Sequence, residues 1–443
     1  MEKSDKDLKL KRKISLLGVI FIGVGNILGA GIYVLVGTAV GMTGNFTWII
    51  FVFAAFLAIL TGLSYAELSA MYPKSAAEYV YTEEAFGSKL MSFVLGWVII
   101  LLGFFAAATV ALGFSYYFTT LLSIPTFEAR VIVASILIVL LSIISYLGIE
   151  YSSWINIVFV FIEATGLIII IIIGIPEFGS VNYFEFPAGV SFLVIFSATA
   201  LIFFAYIGFE DIANVAEEVK NPHKNLPKAI VYSSIISTII YLLVAIAIVS
   251  ILPWDQIAAS DAPLMEVASV KLGNVGFFLL AIIALFATSN TVLIMLIVTS
   301  RQMYGMSKDK VLPEGLSKLS PKRRTPYLAV WFTMIFTIIP IIFMGILEDV
   351  AHATVFAILI AFFLVNLSLI VLRKKKPDLD RPFKIKPNIK WVPIIPLLGC
   401  VVCATFIILY IFTEPLIVII ELISIAIGIV FYVVWKLIKS KTD

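Results

Sequence analysis

About twelve long apolar runs, separated by short polar connectors, constrain this chain more than any other feature. They fall at about 14–38, 46–71, 92–122, 131–149, 152–175, 190–214, 229–252, 275–300, 327–346, 350–372, 393–413 and 416–438. A helical residue advances about 1.5 Å, so roughly 20 apolar residues cross a hydrocarbon layer about 30 Å thick. Lipid offers no hydrogen-bonding partner, so each crossing backbone must satisfy itself, as a helix does. The runs are continuously apolar rather than alternating, which excludes barrel strands. At 61% hydrophobic and 13% charged, against about a quarter charged in soluble domains, a water-soluble fold is excluded too. The predicted class is all-α, a polytopic membrane protein of 12 transmembrane helices.

Charge placement predicts the topology. Starting from a cytoplasmic N-terminus, 29 of the 31 Lys and Arg fall in connectors on one side, and only Arg130 and Lys271 on the other. Short cytoplasmic loops carry such an excess, so both termini are expected in the cytoplasm and the number of crossings is even. The net charge of +3 gives no reason to expect nucleic acid. Cys400 and Cys403 are the only cysteines, both within one apolar run, where thiols have poor access to redox partners; helix packing is their expected role. Residues 253–272, with Trp254, Asp255, Asp261 and Glu266, are too polar to cross and read as one or two short helices over the outer face.

Two of the runs carry interruptions. The first contains Gly23, Gly25, Gly29 and Gly31 within nine residues, and each glycine inside a helix costs about 1 kcal/mol. Close helix packing is the competing explanation for such small residues. The sixth run contains Phe203-Phe204-Ala205-Tyr206-Ile207-Gly208-Phe209-Glu210, a glycine and a carboxylate deep in apolar sequence. These sites lie five helices apart, at matching places in consecutive five-helix units, and an odd number of crossings per unit inverts the second unit relative to the first. The expected division is a tail at 1–13, inverted repeats at 14–175 and 190–372, two further helices at 393–438 and a tail at 439–443. Discontinuous helices at matching positions of inverted repeats mark midplane binding sites in secondary transporters. Amides freed at a half-helix start suit a carboxylate, and freed carbonyls suit an ammonium or small cation. A zwitterionic α-amino acid offers both groups on one carbon.

The residues that carry these features resemble a known family. Gly25-Asn26-Ile27-Leu28-Gly29-Ala30-Gly31-Ile32 is followed by Tyr65-Ala66-Glu67-Leu68 and by Tyr72-Pro73-Lys74-Ser75-Ala76-Ala77-Glu78-Tyr79. The sixth-run segment leads into Ala216-Glu217-Glu218-Val219-Lys220-Asn221-Pro222 and Asn225-Leu226-Pro227, then Arg301-Gln302-Met303-Tyr304-Gly305-Met306 and Arg381-Pro382-Phe383. In this order, over about residues 14–390, the set resembles the amino acid–polyamine–organocation superfamily of permeases, nearest its prokaryotic and cationic-amino-acid-type members. The resemblance implies a five-plus-five inverted repeat with broken helices one and six plus two additional helices, alternating access, and an amino acid as substrate. It implies that backbone amides at Gly29, Ala30 and Gly31, with neighbouring Ile27, take the carboxylate. It implies that the turn from Tyr206 to Glu210, with Ile207, Gly208 and Phe209 as its binding residues, takes the amino group and part of the side chain.

One departure concerns coupling. Aligned on Ser152-Ser153-Trp154-Ile155-Asn156, Glu163 stands where many relatives carry a lysine taken to stand in for a sodium ion. An ionised carboxylate in mid-span costs several kcal/mol, so Glu163 is expected to be protonated, paired or solvated, serving either a structural hydrogen bond or coupling. Glu210 is the second candidate for proton handling; its alternative is to cap backbone amides at the break. Thr288 and Ser289 are candidate cation ligands between helices one, five and eight. Asn26, Asn290 and Asn366 are expected to bond other helices.

The expected function is secondary active transport of an amino acid across the cell membrane, as a symporter favouring proton over sodium. Exchange, or carriage of a polyamine or other organic amine, is the alternative within that class. A channel or a non-transporting amino acid sensor is the alternative outside it. A membrane enzyme lacks support, since neither G-x-S-x-G nor H-E-x-x-H occurs, so no catalytic residue, metal ligand or cofactor is expected. Nor is the disulfide to a single-pass partner subunit that the resemblance brings into question, because the connector between the third and fourth runs holds no cysteine.

Overall fold

The computed structural model describes residues 14–74, 77–147, 149–216, 219–321, 323 and 325–439, with side chains left aside at 149–157, 438 and 439. The tail 1–13, Ser75, Ala76, Glu217, Glu218, Lys322, Arg324, the last four residues and the side chains of Ser152 to Asn156 therefore lie outside the described residues.

The described chain is almost wholly helical. In order run α1 (Leu16–Leu28), α2 (Ala30–Thr43), α3 (Thr47–Met71), α4 (Ala77–Phe86), α5 (Lys89–Leu121), α6 (Phe127–Leu147), α7 (Ile149–Gly174) and α8 (Phe192–Phe203). They are followed by α9 (Asp211–Asn214), α10 (Pro222–Ile251), α11 (Trp254–Ala259), α12 (Pro263–Lys308), α13 (Tyr327–Phe343), α14 (Leu347–Lys375), α15 (Ile394–Thr413) and α16 (Pro415–Lys439). Starts are set locally. The hydroxyls of Ser15, Ser88 and Ser191 accept from the backbone amides of Gly18, Met91 and Val194, capping α1, α5 and α8. Pro222 and Pro263 open α10 and α12, where a missing N–H costs nothing.

Among the described residues, ten helical stretches are long and apolar enough to cross a bilayer. The first, Leu16–Met71, spans 56 residues and contains α1, α2 and α3, while Tyr327–Phe343 is a shorter apolar helix. The polar stretch 253–272 forms α11 and the opening of α12, which bends at Gly273 (φ 60°, ψ −150°). A two-residue antiparallel pairing, Asn388–Ile389 with Val392–Pro393, sits in the connector before α15.

α5 lies at the centre, packed on α12, α14, α6 and α2. Its small residues permit close crossings. A Cβ on Gly103 would stand 1.9 Å from the Thr299 hydroxyl on α12, and one on Gly113 would stand 2.2 Å from Val34 on α2. At one end of the bundle a buried ion cluster ties α3 to α14. Arg373 Nε donates to Glu67 Oε1 at 2.9 Å, Arg373 Nη2 bonds Glu67 Oε2, and the Ile385 amide donates to Oε2 at 2.9 Å. Arg381 Nε stands 3.3 Å from Glu67 Oε1. The outer faces of α6, α13, α15 and α16 expose large apolar side chains, as lipid contact requires.

Candidate functional site

The glycine-rich first run and the aromatic sixth run meet inside the bundle. α1 ends at Leu28 and α2 begins at Ala30, with Gly29 between them at φ −45°, ψ −160°, outside helical geometry. α8 ends at Phe203, tightens into a 3₁₀ turn over Phe204–Tyr206, and the chain resumes as α9 at Asp211. Gly208 takes φ 126°, a conformation that other residues rarely adopt.

The two segments touch backbone to backbone. A Cβ on Gly31 would lie 2.5 Å from Ala205 Cα, and one on Gly208 would lie 2.8 Å from the carbonyl of Asn26. The Tyr241 hydroxyl, from α10, bridges them: it bonds the Ile27 carbonyl and lies 2.9 Å from that of Ala205. The Ala30 amide donates to Thr291 Oγ1 of α12 at 3.1 Å. The next amides of α2, those of Gly31 and Ile32, head a helix whose first turn has no intrahelical acceptor.

Beside this contact lies a cavity of about 20 Å³, lined by the first-segment residues Asn26, Ile27 and Gly29 to Gly31, by Phe204, Ala205 and Ile207, and by Ala106, Val110, Thr291 and Met295. That is room for a water or two. Away from the cavity, Thr38 Oγ1 on α2 donates to Glu348 Oε1 on α14 at 3.0 Å, and the Lys220 amide donates to the Ile14 carbonyl at 2.9 Å.

Of the sequence-predicted residues, Ile27, Gly29, Ala30, Gly31 and Ile207 line this cavity. Tyr206, Gly208 and Phe209 adjoin it without lining it. The Tyr206 hydroxyl donates to the Phe51 carbonyl at 3.1 Å, and its ring meets Tyr241 edge-on at 5.3 Å. Phe209 packs between Tyr65 and Phe362, at 5.8 and 5.2 Å. Glu210 is buried and accepts from the Gly208 amide at 2.9 Å, capping the turn. Asp211 accepts from the Asn26 side chain at 3.4 Å, and Asn366 joins α14 to Thr61 and Ser64 of α3. Thr288 and Ser289 both donate to carbonyls of their own helix, those of Ala284 and Leu285, at 2.7 Å.

Glu163, on α7, is not among the residues that line the cavity. Its neighbours on α7 fix its level: a Cβ on Gly25 would meet Val160 at 2.4 Å, and one on Gly166 would meet the Tyr33 hydroxyl at 2.6 Å. Tyr33, one turn into α2, donates its hydroxyl to the Glu163 carbonyl at 2.5 Å. Both carboxyl oxygens of Glu163 are buried without a hydrogen-bond partner among the described residues. The side chain thus stands level with the interruption at Gly29, and unsatisfied.

Sequence reasoning missed Ala106, Val110, Met295, Thr291 and Tyr241. The first three look like any apolar residue of their runs. Thr291 follows Thr288 by three residues and could have been weighed with it.

Comparison with known proteins identifies the family. A family model described as amino acid permease matches residues 14–435. The branched-chain amino acid permease BcaP of Bacillus subtilis (strain 168) is 34% identical over 417 residues, covering 89% of this chain and 87% of that protein. The methylthioribose transporter of the same organism is 29% identical, covering 90% and 89%. The cystine/glutamate transporter of Pongo abelii is 30% identical, covering 92% and 82%. On a match of this extent, the chain belongs to the amino acid permease family of the amino acid–polyamine–organocation superfamily and is a multi-pass membrane protein.

Proposed function

We propose that this protein is a secondary carrier that binds an α-amino acid where its first and sixth membrane crossings come undone, and releases it on the other side of the cell membrane by alternating access. The observation that carries the reading is the backbone contact between Gly31 and Ala205. The start of α2, whose first-turn amides have no acceptor within their own helix, there meets the backbone of the opposite segment, and on this reading the two are the halves of a cradle for a zwitterion.

On this reading α1 and α2 form one discontinuous crossing, and α8 with α9 forms the other. With α3 and α13 counted as crossings, the total is twelve: two inverted five-helix units at 14–175 and 190–372, and a further pair at 393–438. Both termini lie in the cytoplasm, in keeping with the charge asymmetry. The cavity is too small for an amino acid, so the bundle must open further to admit substrate. Carboxylate binding falls to the amides at Gly29 to Gly31; the turn from Tyr206 to Phe209 supplies carbonyls to the ammonium. Proton coupling rests on Glu163: a buried carboxyl with no partner is stable only when neutral or when a cation joins it. Glu210 is the second proton candidate, and Thr288 and Ser289 would complete a cation site only by turning from their own helix carbonyls.

The test is uptake into proteoliposomes of the purified chain, using a panel of labelled amino acids with imposed proton or sodium gradients. Saturable uptake accelerated by an inward proton gradient supports the proposal. Current without saturation would make the protein a channel, binding without flux a sensor, and uptake of a sugar thioether in place of amino acids a carrier of another class.

A further inference from the structure

Resting on that reading, we infer that the side-chain end of this cradle accepts an uncharged aliphatic group, with Ala106, Val110 and Met295 setting its size.

The inference starts from one face of α5. Gly103, Ala106, Val110 and Gly113 recur at helical spacing, so they share a face. The outer two have no side chain and press against Thr299 of α12 and Val34 of α2. Between these crossings α5 is held close, and Ala106 and Val110 present only methyl groups to the cavity. The nearest hydroxyl of the helix, that of Thr109, donates to the Phe105 carbonyl at 2.9 Å and lies 3.4 Å from Thr354 Oγ1 of α14, away from the cavity lining.

The opposite walls have the same character. Phe204, Ile207 and Met295 are apolar, and the two polar side chains in the lining are already engaged. Thr291 accepts from the Ala30 amide and donates to the Ala287 carbonyl at 3.2 Å, and Asn26 donates to Asp211. Among the described residues no charged side chain lines the cavity.

An ammonium or carboxylate at the end of a substrate side chain would enter this wall unpaired, which costs far more than burying methyl groups. A branched or straight aliphatic chain matches it. The cavity must widen to take such a chain, and the wall supplied by Ala106, Val110 and Met295 is apolar throughout. Met295, unbranched and flexible, can follow side chains of different length.

The experiment is competition against labelled leucine in proteoliposomes carrying the full chain. Unlabelled valine, isoleucine, leucine and methionine are expected to compete at concentrations at least about tenfold lower than lysine or glutamate. Ala106→Leu, which fills the space, is expected to shift preference toward alanine and glycine. Met295→Ala, which enlarges it, should shift preference toward phenylalanine, while the volume-conserving Met295→Leu keeps the wild-type order. Lysine or glutamate competing as well as leucine overturns the inference and leaves the cradle standing. Failure of every amino acid to bind overturns both. An unchanged preference in both size variants removes the assignment to Ala106 and Met295.

Discussion

Gly31 and Ala205 approach so closely that a single added carbon on the glycine would lie 2.5 Å from the alanine Cα. Residues 174 apart in the chain are thus pressed together, with the backbone and methyl group of Ala205 against the bare Cα of Gly31.

Substitution at Gly31 follows directly. Gly31→Val must push the segments apart, since rigid backbone rather than a flexible side chain stands in the way. Uptake is expected to fall at least about a hundredfold, taking about 3 kcal/mol as the cost of overpacking. Gly305→Ala, with nothing within 4 Å of the added carbon, should transport like wild type in the same assay.

Tyr241 supplies one hydroxyl hydrogen to two buried carbonyls, those of Ile27 and Ala205. Tyr241→Phe leaves both without that donor, at a cost of about 1–3 kcal/mol. Thermal unfolding in detergent should report the loss of stability, and uptake should weaken while the helical content is unchanged.

Glu163→Gln keeps the shape and hydrogen-bonding capacity of a neutral carboxyl but cannot exchange a proton. Uptake by this variant should lose its acceleration by a proton gradient while counterflow exchange of labelled for unlabelled substrate continues. Undiminished gradient-driven uptake would remove Glu163 from coupling.

The Glu67–Arg373 pair is buried, with side-chain exposures of 0 and 5%. Arg373→Ala removes the two-pronged partner of Glu67, leaving only Arg381 and the Ile385 amide beside that carboxylate, and should cost up to about 3–5 kcal/mol. Replacing both, with Glu67→Gln and Arg373→Met, should recover part of that loss in the melting temperature.

Glu78, on α4, offers a pH test. Burial pushes its carboxyl above the ordinary 4.5, partly offset by hydrogen bonds, including one from the Tyr65 hydroxyl at 3.1 Å. The folded protein therefore holds this proton more tightly than the unfolded chain does. The contribution to stability is fullest below pH 4.5 and is lost as pH rises through the raised value. Glu78→Gln, which retains the acceptor, should melt higher than wild type near pH 8 and about equally near pH 4.5.

Much of the architecture was legible because lipid leaves so few choices. Long apolar runs had to be helices, and glycines at 29, 31 and 208 stood out against them. The cavity walls of α5 and α12 were not legible: Ala106, Val110 and Met295 lie in uniformly apolar runs, and tertiary packing alone selects the inward face. Residue rotation also separates Thr291, which meets the Ala30 amide, from Thr288 and Ser289, which bond back to their own helix. Phe209 turns toward Tyr65 and Phe362 although its neighbour Gly208 abuts Asn26. α4 escaped notice because 77–86 is too polar and too short for a crossing.

The most direct measurement is an experimental structure of the protein with a transported amino acid bound. The account predicts the ligand carboxylate within about 3 Å of backbone amides at Gly29 to Gly31 and its ammonium against the Tyr206–Phe209 turn. Ligand held elsewhere, with those amides and carbonyls untouched, would contradict it.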